Sequence, residues 1–279
     1  MGALLGPVGE LWEIKCAAQL QESFGTPLGT GTQMLSGLVR YQRAPRARRV
    51  WDVSIGTATP EDAATLAHRA ARRGDVSRPW WWISEEAQTS NALTPQTSML
   101  EDGHRSGGDR VTPSATLFSS SDGHRPLSVV SSTGLATVTF APSSSAVSAA
   151  VPHNRAFTAS VYFTRPAGNA DSSFRVQEID QTGAVVTTHY AICRTDDALT
   201  RLSITATTQV TTVALRLQAF KALAVADPCL TLTDRLLPFA VGGGASRVVV
   251  HSHSHAVQRA TTDVWDRRSA WDYQIMEVG

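Results

Sequence analysis

His251, His253 and His255 alternate with Ser252 and Ser254. On a strand that rises about 3.3 Å per residue, the three imidazoles share one face at a spacing of about 7 Å. Neutral imidazole is a common transition-metal ligand, so two of the three could share an ion. The same run also suits an exposed polar strand face, which in a ring of symmetric copies could meet its equivalents on an axis. No carboxylate accompanies it at ligand spacing, so no metal site is expected, and His251, His253 and His255 are the only candidates for one.

The acidic pairs Glu85-Glu86 and Asp196-Asp197 are adjacent in sequence. Their members diverge on a strand, whereas a glycosidase needs two carboxyl groups facing each other across a sugar. No G-x-S-x-G elbow, H-E-x-x-H pair, phosphate-binding loop or dinucleotide fingerprint is present. The expectation is a protein with no catalytic residues and no cofactor, not an enzyme. Sugar recognition instead needs aromatic rings exposed flat beside polar side chains. Tyr162, His189, Tyr190, Trp265 and Trp271 are the glycan-binding candidates, with packing in a core or interface as the competing reading.

These residues must be held by a scaffold whose size is bounded by the totals. A chain of 279 residues with 42% hydrophobic content suits one large or two ordinary domains with a real core. A net charge of +1 gives no global field toward nucleic acid or acidic lipid. Arg43, Arg46, Arg48 and Arg49 form a local cluster, suited to a solvated loop or to salt bridges between subunits, with nucleic-acid contact as the alternative reading. Cys16, Cys193 and Cys229 are too few and too scattered for a disulfide framework or a zinc site, and buried free thiols are expected. The N-terminus lacks the basic region of a signal peptide, and no run reaches the roughly 18 apolar residues of a membrane helix. Assembly in a cytoplasm, without export or a membrane span, is the expected setting.

Trp51, Val53 and Ile55 alternate with polar residues as on a half-buried strand. Thr59 then reads as an N-cap, with Pro60 at the first helical position and Glu61 and Asp62 in the first turn. Ala63, Leu66, Ala67 and Ala70 make a narrow apolar stripe, and Gly74 supplies a stop. Next comes Pro79-Trp80-Trp81-Trp82-Ile83. Side chains alternate across a strand, so three successive indoles require cover on both faces. Trp51, Trp80, Trp81 and Trp82 are therefore the interface candidates, buried against the core on one side and another layer or subunit on the other.

Polar, turn-rich residues 84–95 follow, and beyond them short strands recur. They are 127–130, 136–140, 157–163, 174–179, 185–193, 199–207, 213–219 and 222–232, separated by Gly, Pro, Asn and Asp. About eight such strands specify a jelly-roll β-sandwich. Gly242-Gly243-Gly244 reads as a hinge. The strand-like runs at 247–251 and 271–275 are expected to return to the first module. The fold class is mainly β with one helix, an α+β domain plus a β-sandwich. The division is 1–90, completed by 246–279, with 91–245 as the inserted jelly roll.

The segment Arg49-Val50-Trp51-Asp52-Val53-Ser54-Ile55-Gly56-Thr57-Ala58-Thr59-Pro60-Glu61, with Trp80-Trp81-Trp82-Ile83 and Asn91-Ala92-Leu93-Thr94-Pro95, resembles the minor tail proteins of siphophages that infect actinobacteria. In that family a "PR-x-W" strand leads to a helix and an aromatic strand, and an "N-L-L-T-P" linker opens a jelly roll like a carbohydrate-binding module. Here Ala92 replaces a Leu of the linker, and Pro45-Arg46 lies further from Trp51. The ending Tyr273-Gln274-Ile275-Met276-Glu277-Val278-Gly279 also resembles the family's C-terminus. The resemblance implies a distal-tail-like domain that forms a trimeric or hexameric ring of copies. Its neighbours would be the tail tube and tail-tip hub, and its location the tip of a virion tail. It also implies a sandwich available to host cell-surface glycan, with no nucleic-acid partner. A free-standing carbohydrate-binding adhesion protein is the alternative.

Overall fold

The computed structural model describes residues 2–14, 17–24, 29–33, 39–43, 48–71, 79–101, 105–106, 111–113, 120, 123, 126–127, 129–132, 137–142, 145–194, 199–259 and 268–278. In chain order, β1 (Ala3–Pro7), β2 (Trp12–Ile14), β3 (Ala17–Phe24), β4 (Gly29–Gln33), β5 (Val39–Arg43) and β6 (Arg49–Ala58) precede α1 (Pro60–Ala71). Next come β7 (Trp80–Ile83), α2 (Glu85–Ser90), α3 (Pro95–Ser98), β8 (Arg105–Ser106), β9 (Val111–Pro113), β10 (Val129–Ser132), β11 (Val138–Phe140) and β12 (Ala149–Ala150). The chain continues through β13 (Ala156–Thr164), β14 (Ser173–Ile179), β15 (Val185–Ile192), β16 (Thr200–Thr207), β17 (Ala214–Phe220), β18 (Ala224–Thr231), β19 (Ala245–Arg259) and β20 (Arg268–Glu277). The fold is mainly β. Two short helices, α2 and α3, occupy the stretch expected to be a polar turn.

The chain forms two compact units. One comprises Ala3–Glu13 and Trp80–Ser246, with Met1; the other comprises Ile14–Pro79 and Arg247–Gly279, with Gly2. In this division the tryptophan strand goes with the sandwich strands. The reason lies in pairing and packing. β7 runs antiparallel to β1, with Trp82 opposite Leu5 and Trp81 opposite Gly6. Leu4, Trp81 and Ile83 then enter the same apolar core as the sandwich strands.

In the sandwich unit, a five-stranded sheet, β16-β13-β18-β10-β9, faces a second sheet ordered β15-β14-β17-β11-β8, with β12 also on β17. Alternation fills the space between them with Phe157, Val161 and Phe163 from β13, Phe174 and Val176 from β14, and Leu215 and Leu217 from β17. The β14–β15 hairpin turns on Asp180, whose Oδ1 accepts from the backbone N–H of Thr182 (2.8 Å) and of Ala184 (2.9 Å) and from the Thr182 hydroxyl. Gly183 completes that turn at φ +86°, a conformation glycine adopts without steric penalty. The Thr182 hydroxyl is the main cause holding the Asp180 carboxyl below its ordinary range.

The segments that enter and leave the sandwich are locked together. Ser84 caps α2 by accepting from Ala87 N (3.1 Å), and Thr94 caps α3 by accepting from Thr97 N (3.2 Å). Between these helices the Asn91 amide donates to Pro228 O (3.2 Å) and Ala240 O (2.8 Å). Its Oδ1 accepts from Leu93 N (3.2 Å) and Leu230 N (3.0 Å). Gly242, Gly243 and Gly244 run alongside, and their N–H groups donate to Ser98 Oγ, Asn91 O and Leu93 O. The glycine triplet is thus a close-packed seam and not the hinge its composition suggests.

In the second unit the strand order is β19-β20-β6-β3. β20 runs antiparallel to β6, pairing Ile275 with Trp51 and Tyr273 with Val53. β4 and β5 form a separate hairpin. α1 starts as its capping sequence specifies: Asp62 N donates to Thr59 Oγ1 (3.2 Å) and Ala63 N to Thr59 O (2.8 Å). The Gly74 stop lies outside the described residues. Of the arginine cluster, Arg49 is buried. Its Nε and Nη2 donate to the two carboxylate oxygens of Glu277 at 2.9 and 3.2 Å, and its guanidinium lies 4.9 Å from the Trp51 ring centroid.

Cys193 and Cys229 are free and buried; Cys16 lies outside the described residues. Burial pushes the Cys229 thiol up to about 11, so at pH 8 only about one part in a thousand is the reactive thiolate. Native protein treated with iodoacetamide at pH 8 is expected to leave the Cys229 peptide unmodified. Labelling should appear only in denaturant, as read by peptide mass mapping.

Candidate functional site

The outer face of the six-stranded system is built by two strands that repeat one pattern. β14 reads Phe174-Arg175-Val176-Gln177 and β17 reads Leu215-Arg216-Leu217-Gln218. Alternation sends Phe174, Val176, Leu215 and Leu217 into the core, so each Arg-x-Gln pair projects outward. Antiparallel register sets Arg175 opposite Gln218 and Gln177 opposite Arg216, which places the two arginines on a diagonal. β15 adds Tyr190 beside Arg175 and Thr188 beside Gln177. β11 adds Thr139 beside Gln218. The row Tyr190-Arg175-Gln218-Thr139 crosses four strands, about 14 Å at the usual inter-strand spacing.

Tyr190 is 60% exposed. The Arg175 guanidinium lies 3.5 Å from the Phe220 ring centroid and 5.5 Å from that of Tyr190, and its Nε donates to Ser173 Oγ (3.2 Å). Arg216 is held by Nε to Ala146 O (2.7 Å) and Nη1 to Gln177 Oε1 (3.3 Å). The Gln218 amide donates to Thr139 Oγ1 (3.0 Å). At the margin Lys221 pairs with Asp171 (2.6 Å), which holds that exposed carboxyl below its usual range. The face combines an open ring, fixed planar cations and amides, the groups that can stack on a sugar and hydrogen-bond its substituents.

The other sequence candidates are placed differently. Tyr162 is only 2% exposed, because it packs with Leu199, Ala224 and Ala226 on the outer face of the five-stranded sheet. Residues 233–237 are tied across it: Thr158 donates to Thr233 O, and Arg201 donates to Ser160 Oγ and Leu237 O while lying 5.8 Å from the Tyr162 ring. His189 points the opposite way from Tyr190. Its Nε2 is 2.7 Å from Glu178 Oε1, and its ring meets Phe157 edge-on. Glu178 also accepts from Gln209 N and Thr212 Oγ1, so the half-buried His189 belongs to a polar knot around the buried Glu178. Trp265 lies outside the described residues.

Trp271 is buried, stacked on His255 at 4.7 Å, with its Nε1 donating to Ser269 Oγ. His253 stacks on Trp271 and Tyr273 at 6.4 and 6.2 Å. His251, His253 and His255 are exposed, and no group of three or more His, Cys, Asp or Glu among the described residues could hold a metal ion. Trp51, Trp80, Trp81 and Trp82 are at most 6% exposed. The chain's own atoms bury them, which leaves almost no indole surface for another subunit. Two further hollows lie among the described residues. A polar groove of about 450 Å³ in the second unit is lined by Asp52, Ser54, Ser254, Asp272 and Gln274, which already bond one another. A mostly apolar one of about 520 Å³ in the sandwich unit lies beside Arg155 and Leu237.

The fold and this face define a β-sandwich with one sheet surface left open and equipped with aromatic and polar side chains. No protein-family model matches the sequence, and no curated protein matches it. Among solved structures, the enzymatically active domain of bacteriophage CBA120 tailspike protein 4 is similar at 12% identity and TM-score 0.37, covering 51% of this chain and 21% of that one. A family 6 carbohydrate-binding module is similar at 12% identity and TM-score 0.30, covering 53% of this chain and 95% of that one. The CBM22-1 xylan-binding domain from Paenibacillus barcinonensis is similar at 12% identity and TM-score 0.29, with coverage of 53% and 99%. This chain spans about a fifth of the tailspike chain's length. No helix among the described residues is long and apolar enough to cross a membrane.

Proposed function

We propose that this chain is a non-catalytic structural component of a phage tail tip, located in the virion, that carries a glycan-binding β-sandwich. The observation that carries the glycan reading is the open row through Tyr190, Arg175 and Gln218, with Tyr190 60% exposed on a sheet whose other face is core. The virion role is supported by the sequence resemblance to minor tail proteins of actinobacterial siphophages. In this reading the second unit, with its sheet β19-β20-β6-β3, is the distal-tail-like part that meets copies of itself, the tail tube and the hub.

Tyr190→Ala tests the glycan part. A solvent-facing aromatic platform that becomes desolvated by ligand is worth roughly 2 kcal/mol, about a 30-fold loss of affinity. Binding to host cell-wall polysaccharide is expected to weaken by that order, while the thermal unfolding midpoint stays within a degree or two. Unchanged binding would remove Tyr190 from the site, and turnover of the polysaccharide would replace binding by catalysis. Sedimentation of the full chain tests the ring: trimers or hexamers support it, and a monomer at assembly concentrations with strong glycan affinity supports a free-standing adhesion protein instead.

A further inference from the structure

The geometry points to an anionic polysaccharide as the ligand of the Tyr190 face, its sugar rings on the tyrosine and its carboxylate or phosphate groups on Arg175 and Arg216. This deepens the glycan reading and rests on it. The described positions that face outward on β14, β15, β17 and β11 carry two guanidinium groups and no carboxylate. Glu178, on the same strand as Arg175, points inward and is held by His189, Gln209 N and Thr212. Asp171 at the margin is matched by Lys221. Asp171 also lies within electrostatic reach of Arg175, so among the described residues the face carries Arg175, Arg216 and Lys221 against one carboxylate, an excess of positive charge in a chain whose net charge is only +1.

Both arginines are also pre-oriented. The Arg175 guanidinium carbon lies 3.5 Å from the Phe220 ring centroid and its Nε is held by Ser173, so among the described residues its Nη groups are left for a ligand. Arg216 uses Nε and Nη1 on Ala146 and Gln177, which among the described residues leaves Nη2. A planar guanidinium fixed in this way loses little freedom when it takes a carboxylate or phosphate, and the resulting charge-assisted bonds are about twice as strong as neutral ones. Gln177 and Gln218, in the alternate positions, can serve the hydroxyls between charged substituents. A neutral glycan would use the ring and the amides but leave both cations unanswered.

The test is titration of the full chain with polygalacturonate, a poly(glycerol phosphate), neutral xylan and a single-stranded DNA oligonucleotide, each at 50 and 500 mM NaCl. Polygalacturonate or the glycerol phosphate polymer is expected to bind at least tenfold more tightly than xylan, and to weaken by roughly tenfold at the higher salt. The preferred polymer identifies the anionic group as carboxylate or phosphate. Arg175→Gln and Arg216→Gln should each reduce that affinity about fivefold to tenfold and flatten the salt dependence, since each removes one charge-assisted contact. Equal, salt-independent binding of xylan overturns the anionic ligand but keeps the glycan reading. Failure to bind any of these three polymers overturns both. DNA binding as tight as that of the best polysaccharide overturns the inference in favour of a backbone-phosphate site.

Discussion

Asn91→Ala is expected to destabilise the sandwich unit by roughly 3–5 kcal/mol, near the upper end of single-residue effects. Asn91 is fully buried and uses its whole amide: two donations to Pro228 O and Ala240 O, and two acceptances from Leu93 N and Leu230 N. Alanine leaves two buried N–H groups and two carbonyls to find new partners, and an unmet buried group costs about 1–3 kcal/mol. Local relaxation recovers part of the sum, hence the range. At a urea slope of about 2–3 kcal/mol per molar, the midpoint should fall by about 1–2 M. Asn91→Asp separates hydrogen bonding from packing. It keeps the volume and the acceptor but turns an oxygen toward two carbonyl oxygens, so it should be no more stable than the alanine variant. A midpoint within about 0.3 M of the parent for either variant, about 15–30% of the expected shift, would show that these four bonds do not hold the linkers.

Asn91 was legible in the sequence only as part of a linker, and the reason is general. Alternation gave the sandwich strands because one face of each is covered by the other sheet, a local consequence visible residue by residue. The α1 cap was equally local. What covers the second face of a sheet is not local. Tyr162 and Tyr190 both sit on alternating strands, yet residues 233–237 cross one sheet and leave the other open. Only the topology separates a packed tyrosine from an available one. The same holds for Trp80 and Trp82, whose need for cover was plain while the source of that cover was not. Arg175 and Arg216 had a weak signal, the twin Arg-x-Gln steps on strands that turn out to be neighbours. Pairing, and not spacing, makes them one site. The glycine triplet misled because glycine serves flexibility and close approach equally well.

Close approach at that triplet sets the second large effect: Gly244→Ala is expected to cost about 3 kcal/mol or more. A Cβ there would sit 2.2 Å from Ala92 O and 3.0 Å from its carbonyl carbon, and one on Gly242 would sit 2.3 Å from Leu93 O. Overpacking usually costs about 1–3 kcal/mol because neighbouring side chains can swing away. Here the obstacle is backbone. Moving it apart stretches the bonds from Gly243 N to Asn91 O and from Gly244 N to Leu93 O, both 2.9 Å. The displaced segment, Asn91 to Thr94, is the one that Asn91 anchors. The two substitutions therefore damage one seam, and their effects should not add: the double variant Asn91→Ala/Gly244→Ala is expected to fall short of the sum of the singles by about 1 kcal/mol or more. Full additivity would mean that the glycine seam and the asparagine clamp are separate structures. A mild Gly244→Ala effect, under about 1 kcal/mol, would mean that the linker can part and that the triplet retains the freedom of a hinge.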